Sequence, residues 1–323
     1  MSQETCLRAF PTSTAFQRFS GGLAAAFFSS IYIVAPTWLI TTAVLVTLYP
    51  FWWCTWLVAF PVLLSAVAPP VPSSTFLQMW PFKFMPAYFD YTEYREQSDE
   101  EIRNLMATKN VLFCAQPHGV FSFGGACAGV EWSKRWWNPK TCPTAVASSV
   151  LNTPLVKHAV GLFGTVDAGG KSLSKALKIS SVVLYIGGIA ELFLSSNQEE
   201  RLFIKKRKGF VKLAMRAGVP IIPVYFFGNT SVLQVLVHPV LKKIARSTGI
   251  TLTVFWGLFG LPIPRPNLIT GVIGRPIEMP HVPEPTDEDV DKYHLKYVEE
   301  VQRLFDKYKK RNPDYENKTL SLE

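Results

Sequence analysis

A histidine and a glutamate each come shortly after an apolar segment that is typical of a buried strand. His118 follows the segment 110–116, and Glu191 follows the segment 182–186 and a double glycine. Catalytic side chains in an α/β sheet lie at the carboxyl ends of its strands, so we expect both residues at one sheet edge. An imidazole with a pKa of about 6.5 suits a general base near neutral pH. A turn histidine that bonds only the backbone is the competing interpretation.

The residues beside both candidate groups favour a tight turn. Pro117 stiffens the backbone before the histidine, and Gly119 allows close backbone approach after it. Gly187 and Gly188 can present backbone N–H groups to an oxyanion, and the carboxylate of Glu191 can orient the imidazole or stabilise an imidazolium. A glycine turn followed by a solvated glutamate is the alternative interpretation of the second segment.

A run of four cations precedes a predicted helix. The run comprises Lys205, Lys206, Arg207 and Lys208. It concentrates part of the net charge of +9 in one place. A phosphate site or anionic lipid head groups fit it better than a nucleic-acid groove, because no aromatic residues interleave the cations. A solvated charged face is the alternative, above all for the outlying Lys242, Lys243 and Arg246.

From residue 110 onward, strand-like segments alternate with helix-like segments. The predicted strands are 110–116, 182–186 and 219–227, and the predicted helices are 171–180, 209–217 and 287–310. This alternation predicts an α/β fold whose largely parallel sheet is flanked by helices. The last helix is amphipathic. Its apolar face comprises Tyr293, Tyr297, Val301, Leu304 and Phe305.

The N-terminal part of the chain is free of charge over a long stretch. No Asp, Glu, Lys or Arg occurs between Arg18 and Lys83, and only 18% of the 323 residues are charged. A bilayer core needs about 20 apolar helical residues. We therefore expect two transmembrane helices at 23–48 and 51–68, joined at 49–50 into a hairpin that places both ends on one side.

Four parts of the chain are predicted on this basis. They are an N-terminal cytosolic tail (1–22), a transmembrane hairpin (23–68), a Pro-rich membrane-interface linker (69–86) and an α/β domain (87–323). Arg8, Arg18 and Lys83 beside the hairpin, together with five cysteines that lack metal spacing, favour a cytosolic domain. The sequons at Asn229 and Asn317 would then stay unmodified. A cleaved signal peptide is the alternative, but no cleavage site stands out.

The remaining histidines and the known cofactor motifs add no second site. The other four histidines lie in helical or proline-flanked contexts that favour structural roles: His158, His238, His281 and His294. The sequence contains no Gly-x-Ser-x-Gly elbow, His-Glu-x-x-His motif, P-loop or Gly-x-Gly-x-x-Gly fingerprint. We therefore expect no metal and no nucleotide cofactor.

Three blocks of the sequence resemble the type-2 diacylglycerol acyltransferase family, which also contains monoacylglycerol acyltransferases and wax synthases. They are Gln116-Pro117-His118-Gly119-Val120, Gly187-Gly188-x-x-Glu191 and, most specific, Arg207-Lys208-Gly209-Phe210-Val211-Lys212-Leu213-Ala214. Further similar elements lie at 274–277 and 293–307. The resemblance runs in order from residue 81 to residue 310.

The resemblance implies that His118 is the catalytic histidine and that Glu191 is the acid of the Gly-Gly-x-x-Glu motif. It also implies an acyl-CoA donor, a neutral glyceride acceptor, and location at the endoplasmic reticulum membrane and the lipid droplet. A homo-oligomer is left open. Two positions depart from the family. Gln116 stands where animal members have His and plant members have Glu, and Asn229 stands where animal members have Glu.

The resulting hypothesis is acyl transfer to the free hydroxyl of diacylglycerol, which gives triacylglycerol. His118 removes the hydroxyl proton, Glu191 holds the imidazole, and backbone amides near Gly119 or Gly187 and Gly188 stabilise the oxyanion. The four-cation run binds the phosphates of acyl-CoA. Monoacylglycerol, a fatty alcohol and a lysophospholipid are alternative acceptors. A non-catalytic membrane protein that binds or transports lipid is the alternative of another class.

Overall fold

A computed structural model describes residues 4–188, 191, 199–236 and 254–323. Most of its strands belong to one large sheet. The described strands are β1 (Thr5–Arg8), β2 (Thr92–Arg95), β3 (Leu112–Gln116), β4 (Thr144–Val146), β5 (Thr165–Asp167), β6 (Val182–Tyr185), β7 (Glu199–Leu202), β8 (Ile221–Phe227), β9 (Gln234–Val235), β10 (Phe255–Trp256), β11 (Thr270–Ile273) and β12 (Thr319–Leu322).

Helices cover both faces of this sheet, and four of them lie between β1 and β2 in the chain. The described helices are α1 (Ala15–Leu48), α2 (Trp53–Val67), α3 (Ser74–Leu77), α4 (Met85–Tyr88), α5 (Asp99–Thr108), α6 (Phe123–Trp132), α7 (Ser148–Asn152), α8 (Val156–Gly161), α9 (Gly170–Ile179), α10 (Gly209–Ala217) and α11 (Asp287–Tyr308).

The large sheet has eight strands in the order β1-β2-β11-β8-β3-β6-β4-β5. Five of its seven neighbouring pairs run parallel, and only β1 with β2 and β8 with β11 run antiparallel. The predicted α/β class with a largely parallel sheet flanked by helices is thus confirmed. Two smaller sheets pair β9 with β10 and β7 with β12.

The sheet elements that matter for the site agree with the sequence pattern. The predicted strands at 110–116, 182–186 and 219–227 correspond to β3, β6 and β8, and the helix at 209–217 has the bounds of α10. Strands β6 and β8 both lie beside β3 and run parallel to it. Their carboxyl ends therefore meet at one edge of the sheet.

The central strands are buried on both faces, as expected for parallel strands between helices. Phe113 and Phe226 pack toward α6, while Tyr225 and Phe227 pack toward α10 and α11. The apolar face predicted for α11 is buried except at Tyr293, which is only partly covered. Alternate side chains of β8 thus join two separate cores.

The apolar N-terminal part forms one long helix and one shorter helix. Among the described residues, α1 is long and apolar enough to cross a membrane by length and composition, whereas α2 has 15 residues and is shorter than a spanning helix. The two helices pack together, and the indole N–H of Trp38 donates to the carbonyl of Val58 at 2.9 Å. The structure therefore gives one helix of spanning length where two spans were predicted.

The predicted tail at 1–22 differs in the structure, because part of it belongs to the α/β domain. Strand β1 pairs antiparallel with β2 at the edge of the large sheet. Helix α1 begins at Ala15, where Thr14 and Gln17 form a capping box, and not at residue 23. A side chain at Gly21 would overlap the carbonyl oxygen of Phe84, so glycine lets α1 lie directly on α4.

The predicted linker at 69–86 also differs, because its apolar residues lie in the core of the domain. Leu77, Phe82 and Met85 are buried in the cluster that includes α6. The end of α2 is tied to the same domain. The hydroxyl of Ser65 accepts the backbone N–H of Leu155 at 2.6 Å. Both ends of the α1–α2 pair are therefore anchored in one folded unit.

Candidate active site

His118 lies at the carboxyl end of β3 and is partly exposed. Its Nδ1 atom is 2.8 Å from the carbonyl oxygen of Gly119. A carbonyl oxygen can only accept, so this contact assigns the proton of the neutral ring to Nδ1. Nε2 has no hydrogen-bond partner within the described part of the chain. Burial lowers the pKa of the His118 imidazole, which favours the neutral, proton-accepting form.

Glu191 is 3% exposed and holds the backbone at the start of this turn. Its Oε2 accepts the backbone N–H of His118 at 2.9 Å, and its Oε1 accepts the backbone N–H of Phe203 at 3.4 Å. The sequence-based hypothesis had this carboxylate on the imidazole ring. The structure instead places it on the main chain, because the ring nitrogen that could donate is already bonded to Gly119.

The environment of Glu191 favours its protonated form. Burial, together with the nearby charge of Glu200, raises the pKa of this carboxyl to about 7. The backbone N–H groups of His118 and Phe203 and the charge of Arg207 oppose this shift. Glu191 therefore titrates close to neutral pH.

Two of the predicted oxyanion glycines allow side chains to approach the backbone. Gly119 has a φ of +61°, and a Cβ there would lie 2.9 Å from Nδ2 of Asn229. A Cβ at Gly187 would overlap the carboxyl group of Glu191. Gly188 has a φ of +53°, which only glycine adopts at little cost. These glycines are needed for the turn geometry, and a role in binding an oxyanion is a separate prediction.

Asn229 is a functional candidate whose contacts with the His118 turn were not predicted from the sequence. It follows β8 and is 1% exposed. Its side-chain amide donates to the carbonyls of His118 at 2.9 Å and Pro117 at 3.1 Å, and its Oδ1 accepts the N–H of Gly124 at 2.9 Å. The sequence contained a signal for this residue, because Asn229 follows the predicted strand that forms β8, and β8 ends beside β3.

Tyr185 and Ser122 are two further site residues that the sequence analysis did not identify. The ring of Tyr185, at the end of β6, stands edge-on to the His118 imidazole with a centroid distance of 5.1 Å. The hydroxyls of Ser122 and Tyr185 are 2.7 Å apart. A side chain at Gly125 would overlap the Tyr185 hydroxyl, so the glycine-rich start of α6 makes room for it.

Gln116 and the first residues of α10 make contacts that hold together the strand and the helices next to the site. Gln116 is fully buried, and its Oε1 accepts the hydroxyl of Tyr297 at 2.5 Å, which ties β3 to α11. Phe210 packs on the same tyrosine, with ring centroids 4.9 Å apart, and Gly209 begins α10. These motif residues have structural contacts in the fold.

The four-cation run lies between β7 and α10 and is exposed at every position. Lys208 pairs with Asp291 at 2.5 Å, and the guanidinium of Arg207 lies 5.3 Å from the centre of the Phe203 ring. Phe203 is also the residue whose N–H reaches Glu191, so the run adjoins the His118 turn. The helix dipole at the start of α10 adds positive potential. Lys242, Lys243, Arg246 and His238 lie outside the described residues.

The other described histidines have ordinary structural contacts. Nε2 of His294 is 2.9 Å from the carbonyl oxygen of Ile204, and Nε2 of His158 is 3.2 Å from that of Ser65. His281 packs beside Gly218. Among the described residues, no group of His, Cys, Asp and Glu side chains could hold a metal ion.

Comparison with known proteins identifies the family. Residues 70–323 match the family model described as diacylglycerol acyltransferase. The chain is 30% identical to diacylglycerol O-acyltransferase 2 of Danio rerio, covering 77% of this chain and 73% of that one. It is 31% identical to the protein of that name from Dictyostelium discoideum (66% and 70% covered) and 30% identical to that from Homo sapiens (64% and 58%).

The chain belongs to the diacylglycerol acyltransferase family. The identification of the family from its motifs, and of the chain as an enzyme of the diacylglycerol O-acyltransferase class, is thus confirmed. Among solved structures, the chain resembles the 1-acyl-sn-glycerophosphate acyltransferase of Thermotoga maritima with a TM-score of 0.39 and 13% identity, covering 88% of this chain and 95% of that one.

Proposed function

We propose that the protein transfers the acyl group of acyl-CoA to the free hydroxyl of diacylglycerol, producing triacylglycerol and free coenzyme A, with His118 as general base. The observation that carries this proposal is the contact between Nδ1 of His118 and the carbonyl of Gly119. It leaves Nε2 unprotonated in the neutral ring, which is the state that a general base requires. Family membership supports the choice of donor and acceptor.

In the first step, Nε2 of His118 accepts the proton of the acceptor hydroxyl as its oxygen attacks the thioester carbonyl carbon. A C–O bond forms, and the carbonyl π electrons move to the oxygen. Backbone amides near Gly119, Gly187 and Gly188 stabilise this oxyanion, a contribution of about 3 kcal/mol per donor in a well-aligned site. The C–S bond then breaks, and the leaving thiolate takes the proton from the imidazolium.

The surrounding side chains hold the base in place during both steps. Glu191 accepts the N–H of His118, and Asn229 donates to the carbonyl of the same residue. The histidine main chain is thereby fixed from two separate loops. Such fixing keeps Nε2 aligned with the reacting hydroxyl, and alignment is a large part of catalytic power.

The four-cation run supplies the binding site for the phosphates of acyl-CoA. Arg207 is favoured for a bidentate contact because its guanidinium matches phosphate geometry. Its position beside Phe203 and Glu191 supports this role, because it brings the cation close to the His118 turn. No metal ion is needed for a thioester donor, since a thiolate is a good leaving group.

The α1–α2 pair provides access to a lipid substrate. We infer that it forms a membrane-embedded hairpin whose ends return to the same side. Strand β1 before α1 and Ser65 in α2 are both bound to the α/β domain, which supports this topology. The endoplasmic reticulum membrane, with a cytosolic domain, and the lipid droplet are the proposed locations. A homo-oligomer is compatible with this arrangement.

An acyl-transfer assay on purified protein in mixed micelles tests this function. Labelled oleoyl-CoA is supplied separately with diacylglycerol, monoacylglycerol, a fatty alcohol and a lysophospholipid. We expect triacylglycerol as the preferred product. A preference for another acceptor would contradict diacylglycerol as the substrate, but it would still support an acyltransferase activity. The absence of product with every acceptor would contradict acyl transfer and favour a non-catalytic lipid-binding protein.

A further inference from the structure

The first turns of α1 carry an exposed apolar stripe. Phe16, Phe19, Leu23 and Phe27 follow a helical spacing of three or four residues and lie on one face. The adjoining face of the same turns packs on the α/β domain and buries Ser20, Ala24, Ala25 and Phe28. The stripe therefore belongs to a helix that is fixed on the domain, and each of its four side chains is at least 42% exposed in the described chain.

The segment after α3 extends this stripe into a wider surface. The ring of Phe82 is 5.9 Å from that of Phe27 and 5.0 Å from that of Phe76. The indole N–H of Trp80 donates to the hydroxyl of Ser20 at 3.1 Å, which places its ring beside α1. We call the resulting surface the aromatic face. It comprises Phe16, Phe19, Leu23, Phe27, Phe76, Met79 and Trp80, each between 39% and 66% exposed.

Two cations, Lys83 and Arg18, come close to the aromatic face in the sequence. The ammonium group of Lys83 lies 4.9 Å from the centre of the Phe84 ring. Arg18 belongs to the same turns of α1, and half of its side chain is exposed. Asp90, the nearby acid, pairs with Arg8 and Arg18. Aromatic residues with flanking cations are typical of a surface at the lipid head groups.

The length of α1 also favours contact between the aromatic face and a membrane. Its 34 residues correspond to about 51 Å of helix. A hydrocarbon core is about 30 Å thick, so a helix along the membrane normal would leave about 20 Å outside it. With the α1–α2 tip in the lipid, the part left outside is the part that carries the aromatic face. An inclined α1 brings this apolar surface onto the membrane.

We propose that the aromatic face is a second membrane-contact surface, which seats the α/β domain on an anionic lipid surface and inclines α1 along it. The inference rests on the membrane location proposed above for the α1–α2 pair. It adds that lipid contact extends beyond the helix tip to the first turns of α1. The α/β domain would then hold a fixed orientation relative to the membrane.

Site-specific fluorescence in vesicles of phosphatidylcholine and phosphatidylserine tests this surface. The full chain carries Cys6→Ser and Cys54→Ser, and one new cysteine is labelled with an environment-sensitive dye. Phe19→Cys and Met79→Cys report on the aromatic face, and Leu57→Cys reports on the α1–α2 tip. Ile179→Cys in α9 is the matched control, because this side chain is apolar, 84% exposed and outside the aromatic face. Lipids with a nitroxide at the head group act as quenchers.

Labels at 19 and 79 are expected to lose at least about half of their fluorescence to the lipid quencher, while the label at 179 keeps its fluorescence. Quenching at 57 alone would overturn the second surface and leave the membrane location standing. Quenching at none of the four positions would overturn the membrane location as well. A blue shift at 19 and 79 without lipid quenching would show that a second copy of the chain covers the face, which also overturns the proposal.

Discussion

The His118 turn and the four-cation run lie beside each other but are built in opposite ways. Around His118, the backbone N–H and C=O are bonded at 2.9 Å to the buried side chains of Glu191 and Asn229. The four-cation run is exposed throughout, and Lys208 pairs with Asp291 at the surface. Breaking a buried hydrogen bond costs about 1–3 kcal/mol, whereas an exposed ion pair contributes about 0–1 kcal/mol.

This difference matches the two functions proposed for these regions, which are proton transfer and phosphate binding. Proton transfer at Nε2 depends on the position of one atom, so the structure fixes the main chain that carries it. Attraction of phosphate groups depends on summed charge, which tolerates movement of each side chain. Substitutions in the turn should therefore lower kcat, while substitutions in the run should raise the KM for acyl-CoA.

The substitution His118→Ala should have the largest effect. Loss of the general base is expected to reduce kcat by at least about 100-fold while the protein still inserts into membranes. His281→Ala is the control, because His281 is exposed and outside the turn. The measurement is the rate of triacylglycerol formation with saturating substrates. Equal activity of wild type and His118→Ala would reduce His118 to a turn residue.

The substitution Asn229→Asp should have the second-largest effect on activity. The change removes two N–H donors and places a carboxylate against the carbonyls of Pro117 and His118. We expect kcat to fall about 10-fold or more, with little change in the KM for acyl-CoA. The deficit should narrow at lower pH, where the new carboxyl group is protonated and can donate again.

Asn317→Asp is the matched control for this substitution, since Asn317 is exposed. A loss that is equal at all pH values and is accompanied by a lower unfolding temperature would indicate a purely structural role for Asn229. An unchanged kcat would contradict the prediction that the hydrogen bonds of Asn229 to the His118 turn are needed for catalysis.

Arg207→Gln tests the other side of the comparison. We expect the KM for acyl-CoA to rise a few-fold with kcat unchanged, because the phosphate contact that is lost is the same in the ground state and the transition state. The difference from wild type should shrink at high salt. Lys178→Gln is the control, because Lys178 is an exposed cation at the end of α9. A fall in kcat without a change in KM would place Arg207 in the chemical step.

Glu191→Gln should have the smallest effect, and it should appear in the pH dependence of stability. The folded-state pKa of Glu191 is raised to about 7 by burial, above its unfolded value. Between about pH 4.5 and pH 7 the folded state holds a proton that the unfolded state has lost, so stability falls as pH rises through this window. Glu191→Gln removes this contribution.

The measurement is the free energy of unfolding of wild type and Glu191→Gln in detergent, at the two ends of this pH window. The free energy of unfolding of wild type should fall more steeply with pH than that of Glu191→Gln. Parallel slopes for the two proteins would show that Glu191 keeps an ordinary pKa in the fold.

The central part of the fold could be predicted from the sequence, and the edge of the sheet could not. Strands β3, β6 and β8 are continuous apolar runs that are each followed by a glycine, and this pattern is easy to recognise in a sequence. Strand β2 escaped detection because it buries charge. Glu93 and Arg95 are both buried there, and Arg135 pairs with Glu93 at 2.9 Å. Charged residues in a short segment are typical of a loop, whereas in the fold this segment pairs with β1 and β11 and its buried charges have partners.

For the site, the sequence indicated which residues meet but not how they bond. His118 and Glu191 come together because parallel neighbours end at one edge of the sheet. The partner atoms depend on the left-handed backbone at Gly119, which turns its own carbonyl onto Nδ1. Side-chain rotamers and carbonyl directions of this kind leave no periodic signal in a sequence. Asn229 was therefore noticed only as a departure from the family pattern.

Nitrogen NMR of the histidine-labelled protein in lipid nanodiscs tests the central claim most directly. The resonances of His118 are assigned by their loss in His118→Ala and followed as a function of pH. The structure predicts a neutral ring at neutral pH with the proton on Nδ1, and a pKa below the ordinary value of about 6.5. A proton on Nε2, or an imidazolium at neutral pH, would contradict the assignment of His118 as the general base.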